Sequence, residues 1–284
     1  MRLRVSCWLV VVLLLLAALP AMAWGPGAHA FVASGVAQKK DVTFPSQYLF
    51  LQSLYGASAP DLAWLAGQPL SASLGAATHR APGYREPWDL ASPWSPAQRA
   101  FAFGWLTHNE VWGADYYAHI ANPLPGGGPG YVVNRAALLA SSQSIPEATA
   151  HDYVEVAIDL LLDHQFPGLK LGEVIADSAD ARNWQIPLLL AASYADVPGA
   201  RPLIILALEG AFRASQGVYG DALSLPTGLD DSLFAAGMAL RYNLSLQKSA
   251  ACLAVAKALC QQPLTHYKAA LDATIELVAG GPWP

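Results

Sequence analysis

The chain has 284 residues, a formal net charge of −5, and 54% hydrophobic against 13% charged side chains. The acidic balance argues against a nucleic-acid partner, which would require a basic face. The length and the apolar content are sufficient for one large buried core.

The first 23 residues have the features of a secretory signal peptide. Two arginines precede an apolar run at 8–19, and Ala-Met-Ala at 21–23 offers the small residues that a signal peptidase reads. The run is shorter than the roughly 20 residues of a membrane-spanning helix. We therefore expect a signal peptide at 1–23 and a mature chain, 24–284, that begins at Trp24 and is periplasmic or secreted. Loss of the two arginines changes the formal charge from −5 to −7.

The mature chain reads as helix after helix, with almost no strand pattern. Apolar residues recur at three- and four-residue spacing over 27–38, 97–120, 147–164, 203–216, 228–246 and 263–279. Clusters of Pro and Gly mark the breaks. The sequence predicts an all-α fold with a single multi-helix domain. Cys252 and Cys260 lie in another helical stretch, about 12 Å apart if it is continuous, so either the helix breaks or both are buried thiols.

A polar stripe occupies the stretch HNEVWGADYYAH at 108–119. On one continuous helix, Asp115 and His119 would lie within about 20° of His108, on either side of it. Two imidazoles and a carboxylate among aromatic residues are costly to bury unless something compensates them. A divalent metal ion provides that compensation, and we expect one between helices near the N-terminus.

The next predicted helix repeats the pattern in HDYVEVAID at 151–159. His151 and Glu155 are four residues apart and therefore lie on one face of the helix. Asp159 continues that side less closely, either as a partner of a metal ligand or as a charge at the wet edge. Each pair alone would suggest a solvated face, but two pairs on consecutive helices favour a metal site.

Upstream single residues fit the same set. Trp24 and His29 stand in WGPGAH at the expected mature N-terminus, Asp61 follows a proline, and His79 reads as a loop residue. Taken alone, Asp61 would be a helix N-cap and His79 an exposed loop histidine.

In this order, the residues resemble the bacterial zinc-dependent phospholipases C. The resemblance covers Trp24 to Glu155. It implies up to three Zn²⁺ ions, and it implies phosphodiester hydrolysis of a phospholipid or another small phosphodiester, with transient contact with a membrane surface. The resemblance implies that Trp24, through its free amine and carbonyl, and His29 bind one ion. It implies Asp61, His79 and His108 as ligands of a second ion, and His119, His151 and Glu155 as ligands of a third. Asp115 would bridge the first two ions.

The N-terminal ligand has a physical rationale. An α-amino group titrates near pH 7.7–8.0, so its neutral form is accessible, and the amine becomes free only after the leader is removed. The indole would pack as an aromatic wedge that fixes the terminus, and the alternative is that Trp24 is an ordinary buried aromatic residue. Zinc lowers the pKa of water toward 7, and Asp61 is the candidate catalytic residue that orients or deprotonates that water.

Two departures from the family pattern affect these implications. The bridging Asp of the phospholipases follows its His at the fourth position, which is Trp112 here, whereas Asp115 is seven residues on. This adds about 4.5 Å along a helix, so either Asp115 pairs differently or a local bulge intervenes. The choline-specific members carry an acidic residue just after the N-terminal Trp, and WGPGAH has none.

Several residues and alternatives complete the sequence predictions. Aromatic side chains near the site would form either a cation-accepting cage or core, and scattered charges in the second half read as surface or structural ion pairs. His164 and His266 lack evident partners and are left outside the site. The cage residues are Trp64, Trp105, Trp112 and Tyr116, and the ion-pair residues are Glu209, Arg213, Asp230, Asp231 and Arg241.

Two alternative functions remain at the sequence level. One is a zinc nuclease that acts on single-stranded nucleic acid, and the other is a metal-binding protein without catalysis.

Overall fold

The computed structural model describes residues 24–79 and 86–284. The regular structure of these residues is helical, and no strand occurs among them, so the all-α prediction is confirmed. The predicted signal peptide at 1–23 lies outside the described residues. Within the described residues, no helix has the length and apolar character needed to cross a bilayer.

The helices follow one another with short connections. They are α1 (Pro26–Lys39), α2 (Gln47–Ser58), α3 (Leu70–Thr78), α4 (Pro87–Leu90), α5 (Pro96–His108), α6 (Tyr131–Gln143), α7 (Glu147–Gln165), α8 (Leu171–Asp180), α9 (Gln185–Ser193), α10 (Pro202–Leu223), α11 (Leu229–Arg241), α12 (Leu246–Cys260) and α13 (Tyr267–Ala279). Short 3₁₀ segments occupy Ala59–Leu65, Pro167–Leu169 and Pro263–Thr265, and a π-helical turn occupies Tyr116–Ile120.

Three of the predicted helices were too long, among them the one over 263–279, whose α-helix begins only at Tyr267. The helix predicted over 97–120 ends at His108, because the side chain of Asn109 binds the backbone N–H groups of the next turn. The helix predicted over 228–246 ends at Arg241, because Asn243 adopts a left-handed conformation with φ of 50° and α12 begins anew at Leu246. The patterns for α1 and α7 were right to within one residue at each end.

The largest of three apolar clusters among the described residues surrounds α7, whose residues from Tyr153 to Leu162 are buried. The second cluster lies between the Ala59–Leu65 segment, α3, α5, α9 and α10, and a small third one joins α1 to α2. Cys252 and Cys260 are buried free thiols in the largest cluster, which agrees with one of the two sequence interpretations.

A close crossing of α2 and α5 connects the fold to the site. A Cβ atom on Gly104 would collide with the carbonyl oxygen of Ser53, and one on Gly56 would collide with that of Phe101. Only glycine at these positions lets the two backbones approach this closely. The crossing brings His108, at the end of α5, beside the end of α2, after which the chain continues into Asp61.

We expect Gly104→Ala to lower the free energy of unfolding by about 1–3 kcal/mol, the usual cost of overpacking. Gly210→Ala is the matched control, because Gly210 lies in α10 and a Cβ there meets open space. That control should be neutral or stabilising by up to about 1 kcal/mol, since alanine favours helix over glycine. Urea unfolding measures both, and equal effects would contradict the close crossing.

Candidate metal centre

Four buried side chains from separate segments meet at one point. The Nε2 atoms of His79 and His108 are 3.2 Å apart. Each lies near Oδ2 of Asp115, at 3.3 and 3.0 Å, and near Oδ1 of Asp61, at 3.5 and 3.6 Å. A tetrahedral zinc ion with bonds of about 2.0–2.1 Å holds its ligand atoms about 3.3 Å apart. The donor atoms of His79, His108 and Asp115 therefore have the spacing of ligands to one tetrahedral ion, and Oδ1 of Asp61 lies close to the same two imidazoles.

Asp115 also faces His29 with its other oxygen. Oδ1 of Asp115 is 3.3 Å from Nε2 of His29, and both residues are fully buried. The His29 ring stacks on that of His108 with centroids 4.2 Å apart, and neither ring nitrogen of His29 has a hydrogen-bond partner. The two oxygens of Asp115 thus point to different imidazoles, as the resemblance implies for a bridging carboxylate.

Backbone carbonyls fix the two central histidine rings. Nδ1 of His108 donates to the carbonyl of Ala57 at 2.7 Å, and Nδ1 of His79 donates to that of Gly75 at 2.8 Å. A carbonyl only accepts, so both rings carry a proton on Nδ1 and direct Nε2 into the group. This outer hydrogen bonding is typical of metal-ligating histidines.

A second group lies at the partly exposed side of the first. The Nε2 atoms of His119 and His151 are 3.1 Å apart, and Oε1 of Glu155 is 3.0 Å from Nδ1 of His151. One donor atom from each of the three lies within 4.8 Å of the others, a spacing that could hold an ion. Glu155 and His119 meet opposite nitrogens of the His151 ring, whereas the resemblance implies that all three bind one ion.

The charges in the buried group depend on each other. Burial disfavours a charged His79, but the nearby carboxylates of Asp115 and Asp61 outweigh it and raise the pKa of His79 to about 9. Burial would also raise the pKa of Asp61, yet the charge of His108 lowers it to about 2. For His29, burial and then the charge of His108 lower the pKa to about 3. The site therefore holds ionised carboxylates that require positive charge nearby. A metal ion would compete with protons for the imidazole nitrogens and carboxylate oxygens of the site.

The chain between His108 and Asp115 is a tight loop and not a helix. Oδ1 of Asn109 accepts from the backbone N–H groups of Val111 at 2.9 Å and of Trp112 at 2.9 Å, and its Nδ2 donates to Leu106 at 2.8 Å. These bonds replace those of the next helical turn and fold the chain back, so that Asp115 meets His108 again. Neither a shifted pairing on one helix nor a bulge alone describes this arrangement.

Trp24 is fully buried beside the group. Its indole donates to the carbonyl of Ala114 at 2.9 Å and stacks on Tyr131 with ring centroids 5.7 Å apart. The buried indole agrees with both sequence interpretations of Trp24, the wedge and the ordinary buried aromatic residue. Participation of the Trp24 amine in metal binding stays a prediction, because it depends on removal of residues outside the described part of the chain.

The other predicted residues fall outside the donor group. Trp105 and Trp112 are buried in the apolar clusters, so they cannot form a cation-accepting cage. His164 does have a partner, the buried Asp230, which contradicts the prediction that it lacks one. Glu209 pairs with Arg213 inside the fold, which confirms a structural ion pair.

Asp159 is fully buried, so its interpretation as a charge at the wet edge is wrong. Burial raises its pKa to about 7, and hydrogen bonds from Gly27, Tyr219 and Ala28 limit the rise.

Two contacts near the group were missed from the sequence. Glu110 places Oε1 3.4 Å from Nδ1 of His119, and its side chain is 44% exposed. For Trp64, which the sequence predicts as a cage or core residue, only the partner was missed: its indole donates to Oδ1 of Asp61 at 3.1 Å. Asn109 at the end of a helical pattern, followed by Gly113, was a usable stop signal. It would have predicted that Glu110 leaves the helix for the loop that reaches His119.

Comparisons of the chain with models of protein families, with curated proteins and with solved structures find no match. The function is therefore inferred from the residues and their geometry.

Proposed function

We propose that the protein is an exported zinc-dependent phosphodiesterase that hydrolyses head-group phosphodiesters of phospholipids. The observation that carries the proposal is the buried group of His79, His108, Asp61 and Asp115, in which the Nε2 atoms of both histidines lie within 3.6 Å of an oxygen of each carboxylate. The apolar leader at 1–23 supports export.

Zinc suits the donor set better than the hard cations do. Imidazole nitrogen with carboxylate oxygen is a typical zinc environment, whereas Mg²⁺ and Ca²⁺ prefer oxygen donors alone. Both oxygens of Asp115 and both ring nitrogens of His29 are buried without a hydrogen-bond partner. Buried polar atoms without partners are costly, and a cation among them would remove that cost.

When bound, zinc supplies a water of lowered pKa and neutralises charge that develops on a phosphoryl group. In this proposal, Asp61 acts on that water. Its Oδ1 faces the two histidines and accepts from Trp64, whereas its Oδ2 is buried without a hydrogen-bond partner. Oδ2 of Asp61 is therefore the atom that would accept a hydrogen bond from the attacking water and orient it, since a carboxylate of low pKa is a weak base.

Access to the centre is from the side of the second group. The side chains of His119 and His151 are 22% and 18% exposed, unlike those of the buried group. A cavity of about 290 Å³ adjoins His151 and is lined by Val133, Ala136, Glu147 and Ala148. Its mostly apolar lining suits the apolar part of a lipid or ester better than a polyanionic strand.

The proposal is tested with the mature chain from Trp24 and three substrates. Zinc-loaded protein should hydrolyse a phosphocholine ester or bis-nitrophenyl phosphate, and a chelator should abolish that activity until zinc is restored. Preferential cleavage of single-stranded DNA would instead indicate a nuclease. Bound zinc without turnover of any of the three would indicate a metal-binding protein without catalysis, and either result would contradict the proposal.

We expect His151→Ala to weaken zinc binding and lower phosphodiesterase activity at least about 10-fold, because it removes an imidazole that faces both His119 and Glu155. His164→Ala should leave both unchanged and reduce only stability, by about 1–3 kcal/mol, since it deprives the buried Asp230 of its partner. Zinc titration, turnover and urea unfolding of both variants provide the check. Equal losses of zinc from the two variants would show that the site is misplaced.

A further inference from the structure

Asp159 of α7 accepts hydrogen bonds from the first turn of α1. Its Oδ2 accepts from the backbone N–H of Gly27 at 2.8 Å, and its Oδ1 accepts from that of Ala28 at 2.8 Å. Tyr219 of α10 donates its hydroxyl to the same Oδ2 at 2.9 Å. The carboxylate is fully buried, and all three donors reach it from elements distant in sequence.

This contact replaces the usual cap of a helix. The N-cap position of α1 is Gly25, which has no side chain to accept from the free N–H groups. A Ser or Asp at that position would cap α1 locally, but it would leave the segment untied to α7. Asp159 satisfies two of the free groups, and its charge lies at the favourable end of the helix dipole.

The glycines of the WGPG sequence make room for the carboxylate. A Cβ on Gly25 would collide with Oδ2 of Asp159, and one on Gly27 would lie 2.8 Å from its Cγ. Both distances are too short for real carbon atoms, so the spacing of the two glycines fits the shape of the Asp159 side chain. This accounts for a feature of the mature N-terminus that metal ligation alone does not explain.

The segment from Trp24 to His29, which Asp159 binds at Gly27 and Ala28, connects directly to the metal centre. His29 follows Ala28, whose N–H is bound by Asp159, and its Nε2 is 3.3 Å from Oδ1 of Asp115. At the other end, the Trp24 indole bonds to the carbonyl of Ala114, the residue before Asp115. The segment from Trp24 to His29 is therefore fixed at Asp159 and again beside Asp115.

We infer that Asp159 is a positioning residue for the N-terminal part of the metal centre, and that it sets the place of His29 by anchoring the backbone of Gly27 and Ala28. The inference rests on the proposed zinc-dependent function. Tyr219 assists by holding the carboxylate in its orientation. Asp159 itself does not ligate the metal, because both of its oxygens are already used by these donors.

The experiment compares Asp159→Ala with Asp163→Asn in the mature chain. Asp163 lies one turn further along α7, near the backbone of Leu171 and Gly172 at the start of α8. It is therefore a matched control, an aspartate of the same helix beside the first turn of a helix that carries none of the proposed ligands. The readouts are zinc affinity and stoichiometry, and hydrogen exchange at the amides of Gly27 and Ala28.

Asp159→Ala is expected to lose at least about 10-fold in affinity for one zinc equivalent, as for other outer partners of metal ligands. Exchange at Gly27 and Ala28 should accelerate, while the His119 and His151 group retains its metal. Asp163→Asn should change neither zinc affinity nor exchange at these two amides. A purely structural role for Asp159 would lower the stability of both variants and the zinc affinity of neither.

Two milder variants keep the test decisive if Asp159→Ala fails to fold. Tyr219→Phe removes one hydrogen bond to the carboxylate, and Gly27→Ala displaces the segment without removing any polar group. Both should weaken the same zinc equivalent in a folded protein. Unchanged zinc binding and exchange in these variants would overturn the inference. A wild-type protein that binds no zinc would contradict the proposed function itself, which is a distinguishable result.

Discussion

Replacement of Asp115 by Asn is expected to remove at least one zinc equivalent. Phosphodiesterase activity should fall by more than the roughly 10- to 100-fold that loss of an outer partner costs. The reason is geometric, because the two oxygens of Asp115 lie within 3.3 Å of His29, His79 and His108. An amide carries no charge, so it cannot neutralise an ion shared between these rings. Zinc analysis and turnover of the purified variant measure the effect.

Asp231→Asn serves as the control for this prediction. Asp231 forms an ion pair with Lys257 at 2.9 Å on α11 and α12, outside the group around Asp115. It should retain full zinc content and activity, since a partly exposed ion pair contributes little. Full zinc content in a folded Asp115→Asn protein would show that Asp115 does not bridge.

One extra residue before Trp24 should cost the mature protein one zinc equivalent and most of its activity, while leaving its helical content intact. The extension moves the α-amine away and replaces it with an amide nitrogen, which is a poor ligand at neutral pH. The core should be little affected, because the Trp24 indole keeps its place against Tyr131 and its bond to Ala114. Zinc analysis, turnover and circular dichroism together check the prediction.

Trp24→Phe with an authentic N-terminus separates the amine from the indole. It keeps the α-amine but removes the indole N–H that bonds to Ala114. This variant should retain its zinc and lose stability only, by about 1–3 kcal/mol. An extended protein with full zinc and full activity would remove the amine from the ligand set.

The fold was predictable where one helix face is apolar without interruption. The spacing of apolar residues predicted α1 and α7, because burial along one side specifies both the helix and its orientation. It failed at His108, where the pattern continues but Asn109 competes for the backbone N–H groups of the next turn. A count of apolar residues carries no information on such a competing side chain.

The site was predictable in its residue types more than in its geometry. The order of histidines and carboxylates predicted residues that the fold does bring together, among them His29, His79 and Asp115. The sequence predicts that Asp115 lies near His108 because both would share one helix face, whereas in the structure a loop brings Asp115 back to His108. Contacts across the fold, such as that of Asp159 with Gly27, leave no local signal, since they join residues 132 positions apart.

Zinc analysis of the purified mature protein, combined with anomalous diffraction at the zinc edge, tests the central claim most directly. We expect an ion among His79, His108, Asp61 and Asp115, with up to two more, one toward His29 and one beside His119 and His151. We also expect chelation to remove these ions together with phosphodiesterase activity. A mature protein that contains no zinc, or whose zinc lies away from these side chains, would contradict this claim.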